Sequence, residues 1–226
     1  MSKMRVTNTG APQDCCMSAY LFTLLTNTLT ATVDSCTIIK YADDTAIIGK
    51  IIHGDETAYR KQIQAVTDWC SNMDLIINVS KTKELHTNFR ELVKPEGAIV
   101  INDKNVDIVD HFKYLGVTIT SNLSWSAQID NITKKSSQRL YFLRKLRQAK
   151  VDTTIMKLFY QSIVQSVFMY CLFIVYHSLN IIDKSKLQRI IRRAKYIMHN
   201  DDIESLESLI KCKIEQFANK LEQEYD

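Results

Sequence analysis

Short β-branched runs and one helical stripe alternate along the first half of the chain. Thr37-Ile38-Ile39-Lys40-Tyr41 and Thr45-Ala46-Ile47-Ile48-Gly49 flank a short acidic centre, the pattern of a β-hairpin. Asp55 can cap a helix whose apolar residues Tyr59, Ile63, Val66, Cys70 and Met73 step by 4, 3, 4 and 3. Leu75 to Val79, Ala98 to Ile101 and Phe112 to Ile119 read as further short strands, with turns near Pro95-Glu96-Gly97 and Asn102-Asp103. From about Trp125 the period becomes helical throughout. The pattern predicts helices over 126–148, 153–178 and 183–199, the first with Leu140, Leu143 and Leu146 or Phe142 inward. The last 26 residues predict a loosely packed helix or a frayed end. The fold class is therefore α+β, a sheet-containing half followed by a helical half.

The charge distribution sharpens this division. A formal net charge of +4 conceals residues 133–200, where 14 Lys and Arg face 2 acids. Residues 1–132 carry 12 basic and 15 acidic side chains, and residues 201–226 carry 3 and 8. A basic block of this kind points to a polyanionic partner, the plain alternative being a solvated helical face. Lys134, Lys135, Arg139, Arg144, Lys145, Arg147, Lys150, Arg189, Arg192 and Arg193 are the candidate nucleic-acid-binding cations. Tyr141, Phe142 and Tyr196 interleave with them; core packing is the first expectation, base stacking the second.

Composition excludes other classes. Five Gly and two Pro in 226 residues argue against linker-rich and collagen-like chains. The six cysteines, at 15, 16, 36, 70, 171 and 212, form no Cys-x-x-Cys pair, so a zinc site has little support. No signal peptide is evident, so an intracellular location with free thiols, nuclear or cytoplasmic, is the default. The most apolar run, Val167 to Tyr176, is ten residues long and reads as a buried helix, against about 20 needed to cross a membrane.

The candidate chemistry centres on Tyr41-Ala42-Asp43-Asp44. Adjacent carboxylates at a hairpin tip repel unless a cation lies between them, and two-metal phosphoryl transfer needs such a cluster to hold Mg²⁺. Asp-Asp also makes an ordinary turn. A chance match to this tetrapeptide in a chain of this length is, however, of order one in a thousand at average composition.

These residues resemble the catalytic hairpin of reverse transcriptases, and their surroundings resemble the non-LTR (LINE-type) retrotransposon branch. Gly10-Ala11-Pro12-Gln13-Asp14-Cys15, with Ser18 and Leu21-Phe22, is similar to that family's Gly-Ala-Pro-Gln-Gly-Cys block. Asn78-Val79-Ser80-Lys81-Thr82-Lys83 resembles its Asn-x-x-Lys-Thr block, Phe112-Lys113-Tyr114-Leu115-Gly116 its primer-grip turn, and Leu123-Ser124-Trp125 the opening of its thumb. The resemblance implies a partial polymerase palm, an antiparallel sheet with packed helices, over 1–124. It further implies an all-helical basic thumb over 125–200 and an acidic tail over 201–226. Asp43 and Asp44 would hold Mg²⁺, Lys81 would lie near the triphosphate, and Pro12, Gln13 and Tyr41 would contact template and nucleotide. Leu115 and Gly116 would grip the primer end. The implied partners are RNA template, RNA–DNA hybrid or DNA, and no membrane.

The departures have consequences too. Asp14 stands where the family has Gly, and Ala19 where it has Pro. The family's first metal-binding aspartate precedes the Gly-Ala-Pro-Gln block, and this chain begins nine residues before Gly10. An inactive fragment of an RNA-directed DNA polymerase is therefore expected, with an upstream polypeptide as the possible source of fingers and first aspartate. A non-catalytic nucleic-acid-binding module is the alternative. A third, remote likeness joins residues 133–150, chiefly Gln138 to Leu146, to the start of AlkB-type tRNA-modifying and dealkylating proteins. Their His-x-Asp…His iron triad has no counterpart among His53, His86, His111, His177 and His199.

Overall fold

The computed structural model describes residues 15–87, 97–199 and 203–225. The chain divides into two compact units, Met1–Val109 and Asp110–Asp226.

In the first unit, helix α1 (Cys16–Asn27) leads to strands β1 (Cys36–Tyr41) and β2 (Asp44–Gly49). The strands pair antiparallel from Cys36↔Gly49 to Tyr41↔Asp44, which is the expected hairpin. The α1 helix was not anticipated, although Met17, Tyr20, Leu21 and Leu24 have helical spacing; all four are half or more exposed. It is fastened polar-side first: Lys40 Nζ donates to the carbonyls of Thr26 (2.8 Å) and Leu29 (2.9 Å) just where the helix runs out of internal partners. Helix α2 (Thr57–Asn72) follows; its N-cap is Glu56, without a side-chain cap, rather than the expected Asp55, whose Oδ1 accepts from Thr57 N at 2.9 Å one residue earlier. Hydrogen bonds from the Thr57 side chain first and its backbone second hold the Asp55 carboxyl below the usual carboxylate range. Gln62, fully buried on α2, accepts from Thr32 N, Thr32 Oγ1 and Val33 N through its Oε1 and thereby fixes the approach to β1.

The remaining strands are shorter than the pattern suggested. β3 (Lys83–Glu84) pairs parallel with β6 (Asp107–Ile108), and β4 (Val100–Ile101) antiparallel with β5 (Lys104–Asn105). Leu75 to Val79 is not a strand: its backbone closes in turns, with Val79 N donating to Ile77 O at 3.1 Å. Ile77 and Val79 still pack, with Tyr59 and Ile63, on the small core of Ile99, Ile101 and Val106. Of the expected turns, Asn102 and Asp103 form the loop of the β4–β5 hairpin, while Pro95 and Glu96 lie outside the described residues. The expected palm sheet is replaced, among the described residues, by separate two-stranded pairs, one of them parallel.

The second unit opens with the hairpin of β7 (His111–Tyr114) and β8 (Val117–Thr120), where one run over Phe112 to Ile119 was expected. Leu115 and Gly116, at φ +46° and +84°, form its two-residue loop; positive φ at both positions is what a tight hairpin with right-handed twist demands. This hairpin packs on helix α3 (Ser126–Gln148), which has the predicted boundaries. The predicted helix over 153–178 is instead broken into α4 (Thr153–Phe159), a π-helical turn (Tyr160–Gln165), α5 (Ser166–Met169), α6 (Leu172–Val175) and a 3₁₀ turn (Tyr176–Ser178). The reason lies in the spacing of the buried residues. Met156, Tyr160, Val164, Phe168 and Leu172 recur every four residues and are all 2% exposed or less. On a helix of 3.6 residues per turn each such step drifts by about 40°, so the stripe would wind off the core. A wider i→i+5 turn takes up part of that drift, and Cys171, at φ +58°, turns the chain back.

Helix α7 (Ile181–Met198) and helix α8 (Leu206–Tyr225) complete the unit. Asn180 caps α7 by accepting from Asp183 N at 2.7 Å. Ser126 Oγ donates to Asp183 Oδ2, Lys186 Nζ to Asp130 Oδ1, and Arg147 Nη1 to Ile197 O, so α3 and α7 run side by side in the same direction. Between them lies a continuous core that includes Ile129, Leu143, Val164, Leu187, Ile190 and Ala194. No single described helix is long and apolar enough to cross a membrane; one pair bent by 46°, Thr153–Met169 and Leu172–Ser178, passes by length and composition. That pair supplies Met156, Tyr160, Phe168 and Leu172 to this core.

Candidate functional site

Pairing of Tyr41 with Asp44 leaves Ala42 and Asp43 as a two-residue bend, with Ala42 at φ +51°. Tyr41, Asp43 and Asp44 are all exposed, Tyr41 by 63%. The bend is held from behind by Lys40, whose ammonium is engaged with α1, and by Gly49 at the far end of β2. A Cβ on Gly49 would stand 2.5 Å from Tyr59 Cδ2, so only glycine lets the strand run under that ring. Pro12 and Gln13 lie outside the described residues.

Mg²⁺ demands octahedral oxygen coordination and is held through carboxylates together with substrate phosphates. Two exposed, adjacent aspartates supply part of such a set. Of the buried carboxylates of this unit, Glu56 is paired with Arg60 (2.7 Å), while Glu84 lies 3.3 Å from His86 Nε2 with neither of its oxygens accepting a hydrogen bond among the described residues. Among the described residues no group of three or more acids, histidines or cysteines is placed to hold a metal ion. The carboxylate pair at the bend therefore does not by itself fit a complete Mg²⁺ site.

Lys81 belongs to the same unit and is exposed in a turn organised by Asn78, whose carbonyl accepts from Lys81 N (3.1 Å) and Thr82 N (3.0 Å). No ion pair joins Lys81 to Asp43 or Asp44 among the described residues.

Leu115 and Gly116 belong to the second unit. Tyr170, at the end of α5, donates its hydroxyl to Leu115 O at 2.8 Å and lies 3.6 Å from where a Gly116 Cβ would be. The loop thus faces a groove of about 440 Å³ lined by Lys113, Asn131, Lys135, Arg139 and Tyr170 among others. Lys113 and Tyr170 were missed from the sequence because neither sits in a basic run; only the folded hairpin brings them to α3.

The cations of α3 and α7 divide into two groups. Arg139 Nη1 donates to Ile163 O (2.5 Å), a carbonyl of the π-helical turn. Arg147 donates to the carbonyls of Tyr196 (3.0 Å) and Ile197 (2.6 Å) and meets His199 Nε2, closing the C-terminal end of α7. Lys145 stands 5.6 Å over the Tyr141 ring. The side chains of Lys134, Lys135, Arg144, Lys150, Arg189, Arg192 and Arg193 make no hydrogen bond or ion pair among the described residues. Arg144, Arg189, Arg192 and Arg193 line a second groove, of about 570 Å³, with Tyr196 and Ile197. The expectation that Tyr141, Phe142 and Tyr196 pack inward is corrected: they are 53%, 56% and 78% exposed, because the core-facing positions of both helices are already filled by Leu140, Leu143, Ile190, Ala194 and Ile197.

Asp183 is the one acid set among these cations at the start of α7. Burial pushes its carboxyl up, but hydrogen bonds from Ser126 and Lys186, with the Lys186 charge and Asn180, bring it net below the usual carboxylate range. The same contacts, those of Asp130 and Asp183, raise Lys186.

Comparison with known proteins gives three findings. A family model described as reverse transcriptase (RNA-dependent DNA polymerase) matches residues 2–119. A model described as alkylated DNA repair protein alkB homolog 8, N-terminal, matches residues 125–166, which here form α3, α4, the whole π-helical turn and the first residue of α5. A Drosophila melanogaster protein described as "Probable RNA-directed DNA polymerase from transposon BS" is 24% identical over 160 residues, covering 67% of this chain. The match spans 18% of that relative's length. No solved structure matches.

Proposed function

The chain belongs to the reverse transcriptase (RNA-dependent DNA polymerase) family, and from that premise we propose that it is a palm-and-thumb portion of a non-LTR (LINE-type) retrotransposon polymerase. Residues 1–124 are the partial palm, 125–200 the thumb and 201–226 an acidic tail. The observation that carries this reading is the bend itself: Tyr41-Ala42-Asp43-Asp44 closes a hairpin whose two carboxylates project into solvent, within the stretch matched by the family. In this role Asp43, with Asp44, would supply part of the Mg²⁺ coordination, and Lys81 would lie near the triphosphate, where its ammonium could neutralise pyrophosphate charge. Tyr41, with Pro12 and Gln13, contacts template and nucleotide, while Leu115 and Gly116 position the primer end. When bound, the metal would activate the primer hydroxyl and neutralise phosphate charge.

The chain alone does not complete this chemistry. Two carboxylates leave most of an octahedral shell to water, so Mg²⁺ would be held weakly until a further acid is supplied. Primer extension on an RNA template, in Mg²⁺ or Mn²⁺, tests this. No synthesis is expected from the chain alone; robust synthesis abolished by Asp43→Asn would overturn the claim of inactivity.

A second reading, a nucleic-acid-binding module without chemistry, is favoured by the seven cations of α3, α7 and the α3 end whose side chains have no hydrogen-bond or ion-pair partner among the described residues. Their ammonium and guanidinium groups would follow the phosphates of an RNA–DNA hybrid or DNA duplex without reading bases. Duplex affinity should then fall with salt by a log–log slope of about −0.9 per phosphate contacted. Salt-independent binding, or none at low salt, would exclude it.

A further inference from the structure

The groove between α3 and α7 holds more positive charge than either helix needs for its own stability. A helix C-terminus favours a cation or two in its last turn. Arg147 and Lys195 already meet that need for α7. Arg144, Arg189, Arg192 and Arg193 nevertheless gather in the same groove, with no acid partner among the described residues. Guanidinium groups brought together in this way repel one another, and a bound anion relieves the repulsion. Their planar donor forks suit phosphate oxygens taken two at a time.

Tyr196 makes the ligand more specific than phosphate alone. Its ring stands on the groove, 78% exposed, above the buried Ile197. It contributes nothing to the core, and its backbone carbonyl is tied down by Arg147, so it is an aromatic platform at a fixed place. The groove, at about 570 Å³, is open to solvent along its length, so a phosphate chain can lie in it with the Tyr196 ring beside it. In a duplex each base is stacked on its neighbours and offers no free face, whereas an unpaired base does. We propose that this groove holds an unpaired stretch of nucleic acid, its phosphates on Arg144, Arg189, Arg192 and Arg193 and one base on the Tyr196 ring. The proposal rests on the reading that the basic helices bind nucleic acid, and it adds which form they take at this place.

The test is fluorescence anisotropy of the full chain with a labelled mixed-sequence 12-nucleotide single strand and with the duplex of the same length. Tyr196→Ala should weaken single-strand binding about 10-fold and leave duplex binding within about twofold, while Tyr196→Phe should retain both. Arg192→Gln with Arg193→Gln should reduce the single-strand salt slope by about 1.4. Circular dichroism of each variant establishes that the fold is kept, as expected for exposed side chains. Equal loss for single strand and duplex, or no loss for either with Tyr196→Ala, would overturn the proposal while the general reading stood. Binding of polyglutamate as tight as that of the oligonucleotide would overturn it as well. Absence of binding to both nucleic acids at low salt would remove the proposal and the general reading together.

Discussion

Gly49 and Asp183 are single residues on which larger features depend. Because a side chain at 49 meets the Tyr59 ring at 2.5 Å, Gly49→Ala should cost about 1–3 kcal/mol through overpacking, seen as a lower urea midpoint with an unchanged slope. Tyr59→Leu in the same chain should recover part of that loss, since the clash is with the ring. Asp183 makes a pH-dependent contribution. Its carboxyl is lowered in the folded chain, so near pH 4 and below the unfolded state binds the extra proton. The stabilisation is complete above the unfolded value of about 3.9 and is lost as pH falls through the folded value. Asp183→Asn should therefore cost about 1.5–3 kcal/mol at pH 7 and shrink that loss in acid, measured by urea unfolding at pH 7 and pH 3.

At the scale of elements, legibility followed the strength of the local signal. The Tyr41–Asp44 bend and α3 were legible because β-branched runs and an amphipathic period of 3.6 each select one backbone. The break in 153–178 was present in the sequence as the four-residue spacing from Met156 to Leu172, but an apolar run of that length also fits an unbroken buried helix. Leu75 to Val79 misled for the opposite reason: its run of aliphatic residues satisfies a strand, while among the described residues no strand pairs with its backbone. The carboxylate bend could be found from four letters, whereas the Tyr170 contact to Leu115 spans 55 positions and leaves no local trace. Lys40 shows the same limit, since its grip on Thr26 and Leu29 joins α1 to β1 through a side chain that reads as solvated. Lys40→Met should release α1, which buries no residue of its own; faster amide exchange over residues 16–27 than in the parent chain is the expected result.

At the scale of the whole molecule the two units are unequally built. Among the described residues the second contains a core of 21 buried residues, while the first has one of three with half-buried neighbours. Burial of an aliphatic or aromatic side chain contributes about 1.5–3 kcal/mol, so the second unit should outlast the first. The chain's two tryptophans report on this separately, Trp69 from the first unit and Trp125 from the second. In Trp125→Phe the fluorescence transition should occur at lower urea than in Trp69→Phe, and coincident transitions would contradict the expected order.

Side-by-side helices pointing the same way cannot be joined by a short loop, and here the chain leaves α3 at Gln148 and regains the α7 position only at Ile181. During synthesis the part of α3 that α7 covers must therefore wait until α7 has been made, although α4, the π-helical turn and α5 can pack on α3 before then. Closure of that distant pairing, rather than the winding of either helix, should set the folding rate of this unit. In the interval, that part of α3 is where a chaperone would bind or a second nascent chain would adhere.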